Sequence, residues 1–330
     1  MEKFDVVIVG AGPAGLKAAE VLAKNKKKVI VLEKNKVIGP KVCAAGITEK
    51  DLKYIPKRLI ERFFNSFLVN NKLRIKYNLF TIEREKLGRY QLRQARQSGA
   101  KILKDTFVRE ISQKYVETSK GRFYFNYLIG ADGSNSKVRS FLKLKSEVCC
   151  LAIQYKINKV EKDIKVFFDP AQYSLWYLWV FPHKDYTYIG VGASIGMHIH
   201  LRKKLDSFMQ EENYSASDFE AALINVDYRG YKFNNIYLVG DAAGFANPLT
   251  GEGIYQALVS GEEIAKKILI PEYHSRKLTK IIATNKKLSN IIGLFKNQPR
   301  LFKLIYMLIS KLKKSKLLQR HAIDFLQYEK

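Results

Sequence analysis

The sequence predicts an α/β fold: a parallel sheet flanked by helices, carrying an inserted antiparallel sheet and followed by a helical, basic region. Three observations predict it. Residues 1–33 pattern as a βαβ unit, and a second buried strand runs into a glycine-rich turn near residue 240. Between them, from about residue 148, the texture changes to short aromatic runs broken by turns. At 330 residues, 47% hydrophobic and 27% charged, the chain has material for a full core.

The first strand is expected over Phe4–Val9, where Val6, Val7, Ile8 and Val9 are apolar without alternation, as in a strand buried on both faces. Gly10-x-Gly12-x-x-Gly15 follows and opens a helix from Pro13 to about Asn25. Gly10 allows the tight turn, Gly12 lets backbone approach a pyrophosphate, and Gly15 lets helix and strand pack closely. The strand Lys28–Leu32 ends at Glu33, 21 residues after Gly12, where a carboxylate reaches ribose hydroxyls. Glycines in such a loop also serve ordinary βα turns, but strand, helix and acid together favour a dinucleotide.

A loop rich in Gly, Pro and Ala is expected over 34–48, helical patterning over 49–68 and 84–98, and strands near 101–108 and 122–129. The last strand runs into Gly130-Ala131-Asp132-Gly133. The inserted sheet is read as Cys149–Ile157, Ile164–Phe168, Ser174–Phe181 and Tyr186–Ala193, with Pro182–Asp185 as a hairpin turn that leaves His183 exposed. A helical patch follows at 199–224. The strand Ile236–Val239 then meets Asp241, a glycine loop, and a helix beginning near Glu252 and Gly253; residues 253–330 are mainly helical.

Asp241 at that strand end is placed for the ribityl or pyrophosphate side of a flavin. The helix N-terminus at Gly251, Gly253 and Ile254, with free N–H groups and a positive dipole, suits the flavin pyrimidine edge, where negative charge collects on reduction. Glu252 has a simpler reading, because a first-turn glutamate favours the helix dipole anyway. Two grips at opposite ends of one chain point to one large cofactor, FAD. The expected organisation is a Rossmann-like FAD-binding domain (1–147 with 230–265), an inserted antiparallel β-sheet substrate domain (148–229) and a helical C-terminal region (266–330).

The formal charge of +27 is uneven: residues 264–330 hold 16 Lys and Arg against 3 Asp and Glu. Nucleic acid is not expected as a partner, since no fold for it is recognised. Between Arg300 and Lys316, Leu301, Leu304, Ile305, Leu308, Ile309 and Leu312 form one stripe at helical spacing, opposite Lys303, Lys311 and Lys314. Such a helix packs on a domain or lies on an anionic membrane surface. Three cysteines, odd in number, suit a reducing cytoplasm, and the pair Cys149-Cys150 is expected to be structural. Met1-Glu2-Lys3 leads straight into a strand, so no signal peptide is expected. No apolar run reaches the ~18 residues of a membrane span. A cytoplasmic protein, peripheral at the inner membrane face, is the expected location. No metal site is assigned.

Together, the fingerprint at 10–15, the turn at 130–133 and the segment Gly240–Ile254 resemble the flavoprotein group of aromatic hydroxylases and geranylgeranyl reductases. Lys41-Val42-Cys43-Ala44-Ala45-Gly46-Ile47 is similar to the reductases' cysteine-glycine loop beside the flavin, with Ala44 and Ala45 where that family has glycines. Tyr177-Leu178-Trp179-Val180-Phe181-Pro182 matches their Tyr-x-Trp-x-Phe-Pro signature. The resemblance implies FAD contacts from Ala14, Glu33, Cys43, Ala44, Gly46, Asp241, Gly253 and Ile254. It also places Arg84 on the pyrophosphate, and the backbone of Val108 against the adenine unless that residue is plain core.

Alternation along a strand puts Tyr177, Trp179 and Phe181 on one face and Trp176, Leu178 and Val180 on the other. An aromatic wall beside a flavin suits a long apolar substrate, an isoprenoid chain or prenylated lipid. Saturating an alkene needs a hydride, which N5 of reduced FAD supplies, and a proton on the opposite face. Cys43, Tyr177 and ordered water are candidate donors. The leading expectation is an FAD-dependent reductase of geranylgeranyl-type chains on membrane lipids, with NAD(P)H or a ferredoxin-like protein as electron donor. The alternatives are a monooxygenase or halogenase-like enzyme on the same scaffold, and a non-catalytic flavoprotein or lipid-binding module.

Overall fold

The structure is a computed structural model that describes residues 2–169, 173, 175–194, 200–215 and 218–298. Its first sheet is built on β1 (Glu2–Val9), which runs into α1 (Pro13–Lys24) and returns as β2 (Val29–Leu32). Three strands follow: the short β3 (Gly46–Thr48) and the long β4 (Ile60–Val69) and β5 (Leu73–Ile82). After α2 (Arg84–Gln97) come β6 (Lys101–Leu103), β7 (Val108–Ile111), β8 (Tyr115–Thr118) and β9 (Gly121–Gly130), then α3 (Lys137–Phe141). The middle of the chain supplies β10 (Cys149–Ile157), β11 (Lys165–Phe167), β12 (Leu178–Pro182), β13 (Thr187–Ser194), α4 (Leu201–Glu211) and β14 (Asp218–Asn225). The chain returns through β15 (Lys232–Phe233) and β16 (Ile236–Leu238) into α5 (Ile254–Leu269) and α6 (Arg276–Asn297).

The first sheet has the order β15-β16-β9-β1-β2-β6, with β8 and β7 extending from β9. Its central pairs are parallel, and Val6, Val7 and Ile8 are wholly buried between helices, which is why that run lacks alternation. Each fully buried side chain of this kind stabilises the fold by about 1.5–3 kcal/mol. The second sheet has the order β14-β10-β13-β12-β11-β4-β5-β3 and is antiparallel except where β11 meets β4. Leu201, Leu205 and Met209 of α4 pack with Leu178, Val180, Ile189 and Val191 of that sheet.

Four sequence expectations change. Residues 49–68 are not a helix: short 3-10 turns at Glu49–Lys53 and Lys57–Leu59 lead into β4. Neighbouring apolar residues there suited a helical stripe, but pairing with β5 sends Phe64 inward and leaves Phe63 largely exposed. As a result, residues 46–82 give three strands to the second sheet rather than serving only the first. The stretch 101–108 breaks at Asp105, which sits at a φ of +51°. The patch 199–224 splits at Asn213, also left-handed, into α4 and β14. Finally, Trp176 precedes β12 and lies over Gly192, while Trp179 lies over Gly190. The two tryptophans therefore share a face, against the expected alternation. The basic stripe at 300–316 lies outside the described residues. Among the described residues, no helix is long and apolar enough to cross a membrane.

Candidate active site

The register Val9↔Leu32, Val9↔Gly130 and Leu238↔Gly130 brings Gly10, Glu33, Ala131 and Val239 to one carboxyl edge of the parallel sheet. That edge is where open α/β sheets bind ligands. Gly10 has a φ of +102°, and a Cβ on it would stand 2.3 Å from the Ala131 carbonyl oxygen, so only glycine fits. A Cβ on Gly15 would stand 2.1 Å from the Gly10 carbonyl oxygen, which is the close helix–strand packing expected. Gly12 caps α1 without a side-chain hydrogen bond, and an added carbon there meets nothing nearer than 4.0 Å. The first-turn N–H groups of α1 are therefore open to an anion.

Glu33 accepts from Ala11 N at 2.7 Å and Asn35 N at 2.8 Å, which fixes its carboxylate beside that loop. Ala14 lies where α1 crosses α5, close enough that a Cβ on Gly261 would stand 2.3 Å from the Ala14 carbonyl oxygen. Arg84 opens α2 with Nε and Nη1 buried and unbonded among the described residues. A buried guanidinium with open donors calls for an anionic partner. The side chain of Val108 is core, and its carbonyl accepts from Lys137 Nζ at 2.8 Å, which supports the plain core reading.

At the other end of the site, the Cys43–Gly46 loop faces the Asp241 turn and the start of α5. Lys41 Nζ reaches Asp241 Oδ2 at 2.9 Å, and Ser134 Oγ is 3.3 Å from the same oxygen. The helix starts at Ile254, with Gly253 as an N-cap lacking a side-chain bond. Asn247 organises the approach: its Oδ1 accepts from Leu249 N and Thr250 N, and its N donates to the Glu252 carbonyl. Gly251, at a φ of +68°, is covered by the Trp176 ring. Tyr177 donates its hydroxyl to the Thr250 carbonyl at 2.5 Å, and burial pushes its pKa well above the phenol range. Cys43 is half-buried, and its Sγ accepts from Ala45 N at 3.3 Å. Ala45 holds a φ of +54°, a left-handed conformation that costs roughly 1–2 kcal/mol outside glycine.

Beside this loop, Lys50 pairs with Glu252 at 2.8 Å, and Asp51 is wholly buried, accepting from Thr48 N and Oγ1. Burial first, and Glu252 second, push the Asp51 carboxyl up to about 7. Glu252 thus has a structural ion pair rather than a role the chemistry requires. Cys149 and Cys150 are buried free thiols, both shifted upward by burial, as suits a structural pair.

On the second sheet, Trp179 is buried over Gly190, and the Phe181 ring covers Gly46, where a Cβ would stand 2.2 Å from Phe181 Cε1. Tyr177 meets Phe168 and Trp179 edge to face or tilted, at centroid distances of 5.3 and 6.0 Å. His183 corrects the sequence reading, which left it exposed. It has no exposed surface, and its ring bonds Glu61 Oε2 at 2.7 Å and the Ala44 carbonyl at 3.0 Å. No local signal reveals this, because Glu61 is 122 residues away. Gly190, Gly192 and Asn247 also passed unnoticed. Glycines inside an aromatic strand pattern, and an Asn before a proline turn, are the signals that could have found them.

A family profile described as FAD dependent oxidoreductase matches residues 5–138. Digeranylgeranylglycerophospholipid reductase 1 of Methanopyrus kandleri is 30% identical over 297 residues, covering 78% of this chain and 78% of its own length. The chain belongs to the geranylgeranyl reductase family. The solved structure of a geranylgeranyl bacteriochlorophyll reductase-like protein from Thermoplasma acidophilum superposes with a TM-score of 0.72 at 25% identity, covering 87% of this chain and 83% of that one. A p-nitrophenol 4-monooxygenase from Pseudomonas putida shares the fold, with a TM-score of 0.75 at 17% identity over 100% of this chain and 99% of that one. The reductase family member is an FAD-dependent oxidoreductase. Its residues fit the cofactor: an uncapped helix N-terminus at an open glycine and two buried, unbonded guanidinium nitrogens of Arg84 together suit a pyrophosphate.

Proposed function

We propose that this reductase saturates carbon–carbon double bonds in isoprenoid chains of the geranylgeranyl type, carried on membrane lipids. The observation that carries this reading is the seating of Phe181 on Gly46, which sets the aromatic strand directly against the loop assigned to the flavin. Tyr177, Trp179 and Phe181 offer ring surface and no charged group, which a polyisoprene requires. The lipid reductase name of the Methanopyrus relative supports the same substrate class. Bound and reduced, FAD supplies a hydride from N5.

The chain's own part is to hold the cofactor, align the alkene, exclude water and deliver a proton. In our reading Arg84 and the α1 N-terminus hold the pyrophosphate, Glu33 the adenosine ribose, and Asp241, Gly251, Gly253 and Ile254 the flavin end. Tyr177 keeps its proton on Thr250 and so fixes the 247–254 loop. Cys43 is then the candidate donor, since its Sγ is only half-buried and accepts a single hydrogen bond from the Ala45 amide. The electron donor is NAD(P)H or an acidic ferredoxin-like protein, to which a basic surface is suited. The basic stripe at 300–316 would hold the enzyme at an anionic leaflet.

The test is anaerobic. Enzyme with photoreduced FAD is mixed with a digeranylgeranyl glycerophospholipid, and flavin absorbance and lipid mass are followed. Flavin reoxidation matched by hydrogen gain in the lipid is expected. A strict need for oxygen, or hydroxylated product, would sink the proposal.

A further inference from the structure

The buried ring of His183 faces two acceptors. Glu61 Oε2 lies 2.7 Å from Nδ1, and the Ala44 carbonyl lies 3.0 Å from Nε2. A backbone carbonyl cannot donate. Glu61 also pairs with Lys86 Nζ at 3.4 Å, so it stands as an ionised carboxylate that accepts from the ring. Both contacts are hydrogen bonds only if both ring nitrogens carry protons. The ring also stacks on Tyr186 at 4.6 Å and 10°, and meets Tyr188 edge-on at 5.3 Å, surroundings that suit a cation.

What this cation touches matters. Ala44 sits between Cys43 and the left-handed Ala45, where the family resemblance leads one to expect glycines. The second sheet grips this loop at three points: His183 at the Ala44 carbonyl, Ile82 N at the Ala45 carbonyl (3.2 Å), and the Phe181 ring on Gly46. We propose that His183, doubly protonated and braced by Glu61, is a positioning residue that fixes the Cys43–Gly46 loop and makes its fit to FAD proton-dependent. The proposal rests on that loop lying against the flavin. It does not rest on the identity of the substrate.

The other groups around the ring leave its two contacts undisturbed. Burial pushes Tyr186 well up and Tyr188 up to about 12, so both stay neutral. Lys86 pairs with Glu83 at 2.7 Å and with Glu61 at 3.4 Å, and Arg62 is spent on the Glu161 and Lys162 carbonyls with a longer reach, 3.5 Å, to the His183 carbonyl. Once the ring loses a proton, one nitrogen turns its lone pair on an acceptor and the brace fails. In Glu61→Gln, the amide donates to Nδ1 of a neutral ring while Nε2–H still reaches Ala44. The brace then persists without the charge.

Three measurements test this, none of which needs the lipid. Nitrogen NMR of histidine-labelled holoprotein at neutral pH should show a doubly protonated ring, identified as the signal that Glu61→Gln converts to a neutral tautomer. FAD titrations across pH should show wild-type affinity weakening as pH rises and Glu61→Gln holding nearly constant. His183→Ala should lose about tenfold in FAD affinity and alkylate faster at Cys43, read by peptide mass. A neutral ring in the wild type would overturn the proposal. So would the same pH dependence in Glu61→Gln, or unchanged FAD affinity in a folded His183→Ala. If His183→Ala does not fold, the NMR signal and Glu61→Gln still decide. Failure of lipid reduction with these outcomes intact would count against the proposed substrate, not against the brace.

Discussion

Arg84 is the residue whose surroundings most require something the protein itself does not supply. Two of its guanidinium nitrogens are buried with no partner among the described residues, a costly arrangement unless a ligand anion completes it. Arg84→Met should weaken FAD binding by roughly 10- to 150-fold, the equivalent of about 1.5–3 kcal/mol for charge-assisted bonds. The same change should leave the melting temperature of the cofactor-free protein equal or higher, because it removes an unsatisfied buried charge. Unchanged FAD affinity would place the pyrophosphate elsewhere. Asp51 makes a second residue-level prediction. Its folded-state carboxyl is raised to about 7 by burial and Glu252, so its contribution to stability is complete below about pH 4 and is lost as pH rises to about 7. Asp51→Asn keeps an acceptor for Thr48, and its urea midpoint should fall less than wild type between about pH 5 and about pH 8. Equal falls would show that Asp51 is ionised in the fold. At this scale the sequence was legible wherever chemistry fixes local spacing, as at Gly10, Gly15 and Glu33. Arg84 was proposed through family likeness, not from local spacing. His183 and Asp51 were not legible, since their partners Glu61 and Glu252 lie 122 and 201 positions away along the chain.

Elements divide the same way. β1, α1, β2 and β16 were readable because buried parallel strands and a glycine-opened helix carry their own period and punctuation. β4 and β5 were not, because their outcome depends on cross-strand partners, and the apolar positions Leu59, Ile60, Phe63, Phe64, Phe67 and Leu68 satisfy a helical stripe equally well. The β12–β13 pair shows what alternation alone omits. Trp179 stands opposite Gly190 in register, and the missing side chain of that glycine is the space the indole fills. A Cβ on Gly190 would stand 2.3 Å from Trp179 Cζ2 and 2.6 Å from the Ile153 carbonyl oxygen, and the backbone cannot yield as a side chain can. Gly190→Ala should therefore cost about 1–3 kcal/mol in stability and shift the tryptophan fluorescence. FAD affinity should fall less than in Arg84→Met, because Trp179 lies over Gly190 rather than on the loops assigned to the cofactor. Unaltered fluorescence at wild-type stability would mean that Trp179 is not held over Gly190.

Across the whole molecule, the two sheets converge on the site from chain segments that alternate between them, and several polar links span it. Lys41–Asp241 is half-exposed on its lysine side, Lys50–Glu252 is more enclosed, and Tyr177–Thr250 joins the aromatic strand to the α5 approach. Exposed pairs of the first kind contribute about 0–1 kcal/mol, whereas Ser134 Oγ on the Leu223 carbonyl (2.6 Å) and Asn225 Nδ2 on the Asp241 carbonyl (2.9 Å) tie the walls from within. A dinucleotide bound to Glu33 and Arg84 at one end, and against the Cys43 and Gly251–Ile254 loops at the other, would touch both walls at once. Its binding energy then stabilises both sheets rather than one. FAD at about a hundred times its dissociation constant should add about 2.7 kcal/mol, and the protein should unfold in one calorimetric transition displaced upward by several degrees. Two resolved transitions, with FAD moving only one of them, would show that the cofactor engages a single wall. In that case the aromatic strand would not border the flavin, and the apolar substrate assigned to it would lose its structural basis.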